Sequence, residues 1–246
     1  NVSGSGSLDI NAGAEFVLVT SFDGSTATGD IDVSFGDRAA TTTGDISVIT
    51  GSGNDDVSLA LVVEGDIDNI TVDLNAGNDR LILDANTDTG NAIVGGDGSD
   101  TLQLDIAMTA VTAAYVSEFE ILELNGGADV TQDMDLVDGM NIVNIFDMTA
   151  GTNDLNIDDA ADGLVINANG ALLAATATAT NADMTILSVD LKTDTATDDM
   201  TLNLNAAAGG VTIADFLPNS QYETVTVNSS GTAGNEILDI SSAKTN

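Results

Sequence analysis

Three stretches of the chain repeat one another: Gly51-Ser52-Gly53-Asn54-Asp55-Asp56-Val57, Asn75-Ala76-Gly77-Asn78-Asp79-Arg80-Leu81 and Gly95-Gly96-Asp97-Gly98-Ser99-Asp100-Thr101-Leu102. Each is a glycine-rich turn ending in Gly-x-Asp and running into apolar alternation such as Leu81-Ile82-Leu83 or Leu102-Gln103-Leu104. The third satisfies the nonapeptide repeat G-G-x-G-x-D-x-U-x in full, and the other two depart from it only at the leading glycines. Turns that recur at the spacing of one coil confine the chain to a stack, because a single coil cannot bury its own apolar side.

The rest of the chain fits such a stack. Period-two alternation marks strands at Asp45-Ile46-Ser47-Val48, Val57-Ser58-Leu59-Ala60-Leu61, Ile70-Thr71-Val72-Asp73-Leu74, Thr201-Leu202-Asn203-Leu204 and Thr224-Val225-Thr226-Val227. Two turn families alternate between them: Gly-Asp-Ile at Gly29, Gly44 and Gly65, and Gly-x-Asp at Gly53, Gly77 and Gly98, with looser relatives at Gly13 and Gly127. One turn of each kind with two strands makes a coil of about 21 to 24 residues. The expected fold is all-β, a right-handed parallel β-roll or β-solenoid over residues 1–105. A second β-rich, solenoid-like part is expected over residues 106–246.

That second part opens on an insert. Val111, Tyr115 and Phe119 recur at i, i+4 and i+8, the spacing of a short helix or bulged loop whose apolar side caps a solenoid end. Phe119-Glu120-Ile121-Leu122-Glu123-Leu124-Asn125 follows, echoed by Tyr222-Glu223-Thr224-Val225-Thr226-Val227-Asn228. An aromatic-Glu start to an alternating strand, used twice, implies related units. Thr176, Thr178 and Thr180 alternate with alanines as a flat strand or linker.

Charge narrows the chemistry. Forty acidic residues face four basic ones, for a formal charge of −36, and only seven of the acids are Glu. A short carboxylate suits ligation from within a tight turn. In a parallel stack Asp55, Asp79 and Asp100 lie about 4.8 Å apart, the spacing of neighbouring strands. At an effective dielectric near 20, adjacent carboxylates so placed repel by about 3 kcal/mol. A cation between the rungs removes that repulsion. Ca²⁺ fits, taking six to eight oxygens from carboxylates and turn carbonyls, whereas Mg²⁺ demands an octahedron and keeps its waters. Asp30, Asp45 and Asp66 either ligate on another edge or hydrogen-bond their own turns; Glu15 and Asp129 are weaker ligand candidates.

Several functions are disfavoured. With no Cys and no His, disulfides, thiolate or imidazole zinc sites and His-dependent triads are excluded. Arg38, Arg80, Lys192 and Lys244 are the whole cationic complement, too few to hold nucleic acid. No apolar run approaches the roughly 18 residues of a membrane-spanning helix. The acid doublets Asp158-Asp159 and Asp198-Asp199 would point to opposite faces of a strand and read as solvated turns, so the expectation is a chain that is not an enzyme. Sugar recognition usually needs aromatic platforms, and there is no Trp; ice binding needs a long Thr ladder. Both ends read as mid-chain, which suggests a piece of a longer protein.

The run Gly95–Leu104, the insert, and Phe119-Glu120-Ile121-Leu122-Glu123-Leu124 together resemble the RTX-type, calcium-binding S-layer proteins of Gram-negative bacteria, the Caulobacter type. In that family a Gly-Gly-x-Gly-x-Asp turn precedes a strand, a short insert and a Phe-Glu-x-Leu-x-Leu strand. The resemblance implies type I export, calcium-dependent folding and self-assembly into a coat at the bacterial cell surface. Carried over by position, ligand roles fall on Gly51, Gly53 and Asp55, on Asn75, Gly77 and Asp79, and on Gly96, Gly98 and Asp100. Thr50 and the pair Leu74-Asn75 depart from the motif where glycines are usual. The expected partners are further copies of the chain and cell-surface polysaccharide. An alternative with the same sequence needs is the stalk or binding module of a large secreted RTX adhesin.

Overall fold

In the computed structural model, residues 1–10, 19–35, 45–59, 69–83, 90–104, 106–125, 129–137, 139–146, 154–170, 184–206 and 210–241 are described. The strand-pair registers among them are all parallel, and the fold is a β-solenoid. The turns anticipated at Gly13, Gly44, Gly65 and Gly127, and Thr176–Thr180, lie outside the described residues.

The chain divides into two compact units, one of residues 1–104 with 108–121, the other of 105–107 with 122–246. In the first unit one face is built, in order, from Leu8–Ile10, Ile31–Phe35, Asp56–Leu59, Arg80–Leu83 and Thr101–Leu104. The other is built from Ser21–Asp23, Ile46–Ile49, Ile70–Asp73, Ala92–Val94 and Val116–Ser117. Asp32 pairs with Asp56, Asp56 with Arg80 and Arg80 with Thr101, so successive coils take 24, 24 and 21 residues. Alternation decides the burial: Val33, Val57, Leu81 and Leu102 stack in register and are each fully buried. On the facing side Val48, Val72 and Ile93 do the same. Burying each such side chain contributes roughly 1.5–3 kcal/mol, so the rows are the main force holding coil on coil.

Two details differ from the sequence expectations. Gly29 sits with the Gly-x-Asp turns. It lies directly under Gly53, whose Cβ, if present, would come 2.6 Å from the Gly29 carbonyl, and it packs on the Gly6 carbonyl in the same way, so it belongs to the glycine column of the Gly-x-Asp turns. The helix of the insert covers only Ala110–Ala113, capped by Thr109, and Val111 is exposed while Phe119 is buried. The i, i+4, i+8 spacing is therefore not a helical face. The insert leads into Val116–Ser117, which pairs beside Ala92–Val94 and stands last in that sheet.

The second unit repeats the design with less even coils, of 23, 36 and 25 residues along one face. One face runs Ile121–Asn125, Ile142–Phe146, Leu164–Gly170, Asp199–Ala206, Thr224–Gly231, and the other Val130–Asp133, Asp154–Ala160, Met184–Leu191, Thr212–Pro218, Glu236–Ile240. Val143, Ile166 and Leu202 form one fully buried row, and Leu187 and Phe216 belong to another. Register slips between Ile157 and Ala160, where Asp159 takes a φ of 55°. This is a bulge, after which Ala160 is buried and paired again with Leu191.

Candidate functional site

The Gly-x-Asp turns stack as the repeat demands, and their aspartates occupy one buried column of the first unit. Asp55 and Asp79 are each 2% exposed and Asp100 is fully buried. Each carboxylate reaches back one coil to accept a backbone N–H. Ile31 N donates to Asp55 Oδ1 at 2.7 Å, Asp55 N to Asp79 Oδ1 at 2.7 Å, and Asp79 N to Asp100 Oδ1 at 2.8 Å. Glu120 ends the column, its Oε2 accepting from Asp100 N at 2.8 Å. These bonds satisfy N–H groups that the turn would otherwise leave buried and unpaired. A second, exposed column runs in the opposite sense: Asn54 N donates to Asp30 Oδ1, Asn78 N to Asn54 Oδ1 and Ser99 N to Asn78 Oδ1.

The glycines set how close the coils come. A Cβ on Gly77 would lie 2.0 Å from the Gly53 carbonyl oxygen, and one on Gly98 would lie 1.6 Å from that of Gly77. Both take a φ of 154°. Gly96 packs against the Asn75 carbonyl in the same way. Gly51 donates its N–H to Asp55 Oδ2 at 3.2 Å and accepts at its carbonyl from Ala76 N. Asn75 holds a φ of 63° and donates its amide to the Thr50 carbonyl at 2.7 Å. So Thr50 and Asn75, the departures from the motif, are bonded to each other.

The three aspartates differ in one respect. Both oxygens of Asp55 accept N–H bonds. Asp79 Oδ2 and Asp100 Oδ2 are buried without any hydrogen-bond partner. Burial pushes the Asp79 carboxyl up to about 7, against the pull of the Asp55 N–H and with the help of neighbouring Asp55, Asp100 and Asp30. Asp100 is raised too, by burial first and then by Glu120, Asp97 and Glu118, against the Asp79 N–H. An orphaned carboxylate oxygen in a buried, negative column calls for a proton or a cation. The donor set here, all oxygen, fits a hard cation such as Ca²⁺.

Two further acidic groups lie in the second unit and contain none of the nine residues expected from the motif. Oxygens of Asp133, Asp135 and Asp159 lie within 4.8 Å of one another, as do those of Asp194, Asp198 and Glu223. Either group could hold a metal ion. The first carries an ion pair from Lys192 to Asp135, and Asp159 is raised by burial and by Asp135, Asp133 and Asp158.

The second group repeats the end of the aspartate column. Asp198 N donates to Glu223 Oε2 at 2.7 Å, and the N–H groups of Glu223 and Thr224 return to the Asp198 carbonyl. Asp100, Glu120 and Ile121 make the same three bonds. The two aromatic-Glu strand starts thus do one job: each glutamate closes the turn of the preceding coil. Asp198 is fully buried while Asp199 is exposed, so the first of that doublet is a turn staple and not a solvated residue. Of the weaker candidates, Asp30 and Asp45 each accept from a residue 24 positions further on, in the next coil, Asp30 from Asn54 N and Asp45 from the Asn69 amide at 2.9 Å, and Asp129 accepts from Asp154 N at 3.0 Å; Asp66 and Glu15 lie outside the described residues.

Sequence reasoning passed over the asparagine ladder. On the outer face of the second unit Asn228, Asn203 and Asn167 each hand an amide N–H to the next asparagine, ending at Asn144, at 2.8 Å every time. Its only sequence signal was an Asn at the same place in successive alternating strands.

The fold and these turns define a class, parallel β-solenoids with stacked acidic turns. Compared with known proteins, the chain matches no family model, no curated sequence and no solved structure.

Proposed function

We propose that this chain is a structural protein of the bacterial cell exterior, a calcium-stabilised, self-assembling subunit of a surface layer, sheath or filament, without catalytic activity. One observation carries the reading: the buried, unpartnered oxygens of Asp79 and Asp100 in the column of Gly-x-Asp turns. A solenoid that stacks carboxylates in its interior is held back from folding by its own charge until a cation joins them. Asp79 and Asp100 would hold the ion in the first unit, with carbonyl oxygens of the surrounding turns. Asp194, Asp198 and Glu223 would hold another in the second. The ions would supply charge compensation and cross-bracing between coils and take no part in a reaction. The RTX-like motif at Gly95–Leu104 and the preference for Asp over Glu support calcium over other cations.

The test is thermal unfolding and electron microscopy on matched samples in millimolar calcium and in EGTA. At a hundredfold excess over its dissociation constant each independent site adds about 2.7 kcal/mol, so two sites raise the midpoint by well over 5 °C. Ordered sheets or filaments are expected in calcium and dispersal in chelator. Equal melting in the two buffers would refute the calcium role, and a calcium-stabilised chain that stays monomeric would turn the reading toward an adhesin stalk.

A further inference from the structure

Three successive turns on one edge of the second unit differ in length. Residues 134–141 lead from Val130–Asp133 to Ile142–Phe146, residues 161–163 from Asp154–Ala160 to Leu164–Gly170, and residues 192–198 from Met184–Leu191 to Asp199–Ala206. The middle turn, of three residues, stands between turns of eight and seven. A cavity of about 490 Å³ opens there, with lining from all three turns, a volume ordinary for a small-molecule site.

Its floor is aliphatic: Met134, Val137, Met140 and Leu164 line it and are buried. Its rim is acidic. Asp135, Asp159 and Asp162 line it from exposed positions, and Asp133 joins the first two in a group whose oxygens lie within 4.8 Å of one another. A bulge supplies Asp159 to that group. Ile157 pairs with Val189 and Ala160 with Leu191, so Asp158 and Asp159 together stand opposite Asp190 alone. Asp159, at a φ of 55°, stays outside while Ile157 and Ala160 are buried. Bulges re-aim side chains in this way beside functional sites.

The protein itself shows what the rim takes. Lys192, on the third turn, lines the cavity and sets its ammonium on Asp135 of the first turn, across the short one. Among the described residues one ammonium faces the four carboxylates of Asp133, Asp135, Asp159 and Asp162. Asp159 is raised by burial first and then by Asp135, Asp133 and Asp158, with Lys192 pulling the other way. A second ammonium would answer the remaining charge, and an alkyl stem behind it would cover the floor, as lysine stems cover apolar surface. Methionine side chains adapt readily to such a stem. A bare metal ion would use the oxygens and leave the floor without a role.

We infer that this cavity binds a small organic cation, a primary ammonium on an aliphatic stem. The ammonium sits among Asp133, Asp135 and Asp159, and the stem lies over Met134, Val137, Met140 and Leu164. The site shares no residue with the calcium sites proposed above.

The test is methyl NMR on the full chain with labelled methionine, in millimolar calcium, titrated with hexylammonium. Met134 and Met140 report the floor, and Met108 and Met184, buried away from it, are the references; Met134→Leu and Met140→Leu assign the two signals. Saturable shifts are expected at Met134 and Met140 and none at the references. Methylammonium has the charge without the stem and hexanol the stem without the charge, and each is expected to bind at least about tenfold more weakly. Asp135→Asn with Asp159→Asn should weaken hexylammonium by roughly tenfold, whereas Asp239→Asn, at an exposed position elsewhere, should not. Lys192→Met should tighten binding by removing the competing ammonium. Circular dichroism melts verify folding, and Asp162→Asn replaces the double variant if that chain does not fold. Methylammonium binding as tightly as hexylammonium would mean diffuse attraction to an acidic chain and overturn the inference. Hexanol binding as tightly would reduce the cavity to an apolar recess and overturn it too. Loss of the hexylammonium shifts as calcium is raised would make the group a metal site, and no shift at Met134 or Met140 would leave no ligand there; either overturns it.

Discussion

Asp79 holds a charge that its surroundings do little to stabilise: one N–H reaches Oδ1, nothing reaches Oδ2, and the residue is 2% exposed. Replacing it by Asn keeps an acceptor for the Asp55 N–H and removes the charge. In chelator at pH 8 the Asp79→Asn chain is expected to melt no lower than the wild type, because the buried charge was a cost. In calcium it is expected to lose a large part of the stabilisation, and a full calcium shift in the variant would remove Asp79 from the site. The pH dependence follows from the same residue. Its folded value of about 7 lies above the ordinary 3.8, so between those values the folded chain binds more protons than the unfolded one. Metal-free stability therefore falls as pH rises from about 4 to 7, then levels. The part due to Asp79 is on the order of 2 kcal/mol after allowance for solvent screening. Comparing the wild type with Asp79→Asn in EGTA isolates it: the variant's melting curve should slope less across that window.

At the scale of strand and turn, the glycine column makes the sharpest demand. Gly77→Ala and Gly98→Ala would drive a methyl into the carbonyl of the coil below, at a φ that side chains rarely adopt. A loss of about 3 kcal/mol or more is expected for each. Gly234 has nothing within 4 Å of a would-be Cβ, and Gly234→Ala should stay within about 0.5 kcal/mol of wild type. Urea titrations would resolve the contrast, and similar losses at all three positions would show that the carbonyl contacts do not limit the stack. The asparagine ladder gives a graded test: Asn203→Ala breaks two bonds and Asn228→Ala one, for losses of roughly 2 and 1 kcal/mol. This is also the scale at which the sequence was most informative. Alternation placed the strands at Ile46–Ile49, Ile70–Asp73 and Thr224–Gly231 to within a residue or a few, because inward positions of a parallel coil accept only apolar side chains. It misassigned Gly29, since a Gly-Asp-Ile triplet looks alike on any edge and only register tells which column it joins. The backward reach of each aspartate to the coil before it was hidden for the same reason. So was the convergence of Asp194, Asp198 and Glu223: residues 25 apart meet only once coil length is known.

For the molecule as a whole the governing quantity is a formal charge of −36 on 24.8 kDa. Of its four cationic side chains, Arg80 pairs with Asp56 and Lys192 with Asp135, leaving most of the acid uncompensated within the fold. Self-repulsion of this size disfavours any compact state, and two kinds of relief are possible. Diffuse screening acts on all exposed charges and depends only on ionic strength, the Debye length shrinking from about 30 Å at 0.01 M to about 10 Å at 0.1 M. Bound divalent ions act at particular carboxylates and at far lower concentration. Both raise the melting temperature, so calcium stabilisation alone does not separate them. Matched ionic strength does. In EGTA the midpoint is expected to climb with sodium chloride and to plateau once exposed charges are screened, while the buried oxygens of Asp79 and Asp100, out of reach of the ion atmosphere, keep their penalty. One millimolar calcium, which adds almost nothing to ionic strength, is expected to carry the midpoint above that plateau. Magnesium at the same concentration should fall short of calcium, since it sheds its waters reluctantly for a site of turn oxygens. If sodium chloride alone reached the calcium midpoint, the acidic columns would be a screened surface and not a set of sites. The proposed function would then lose its metal while the solenoid kept its fold.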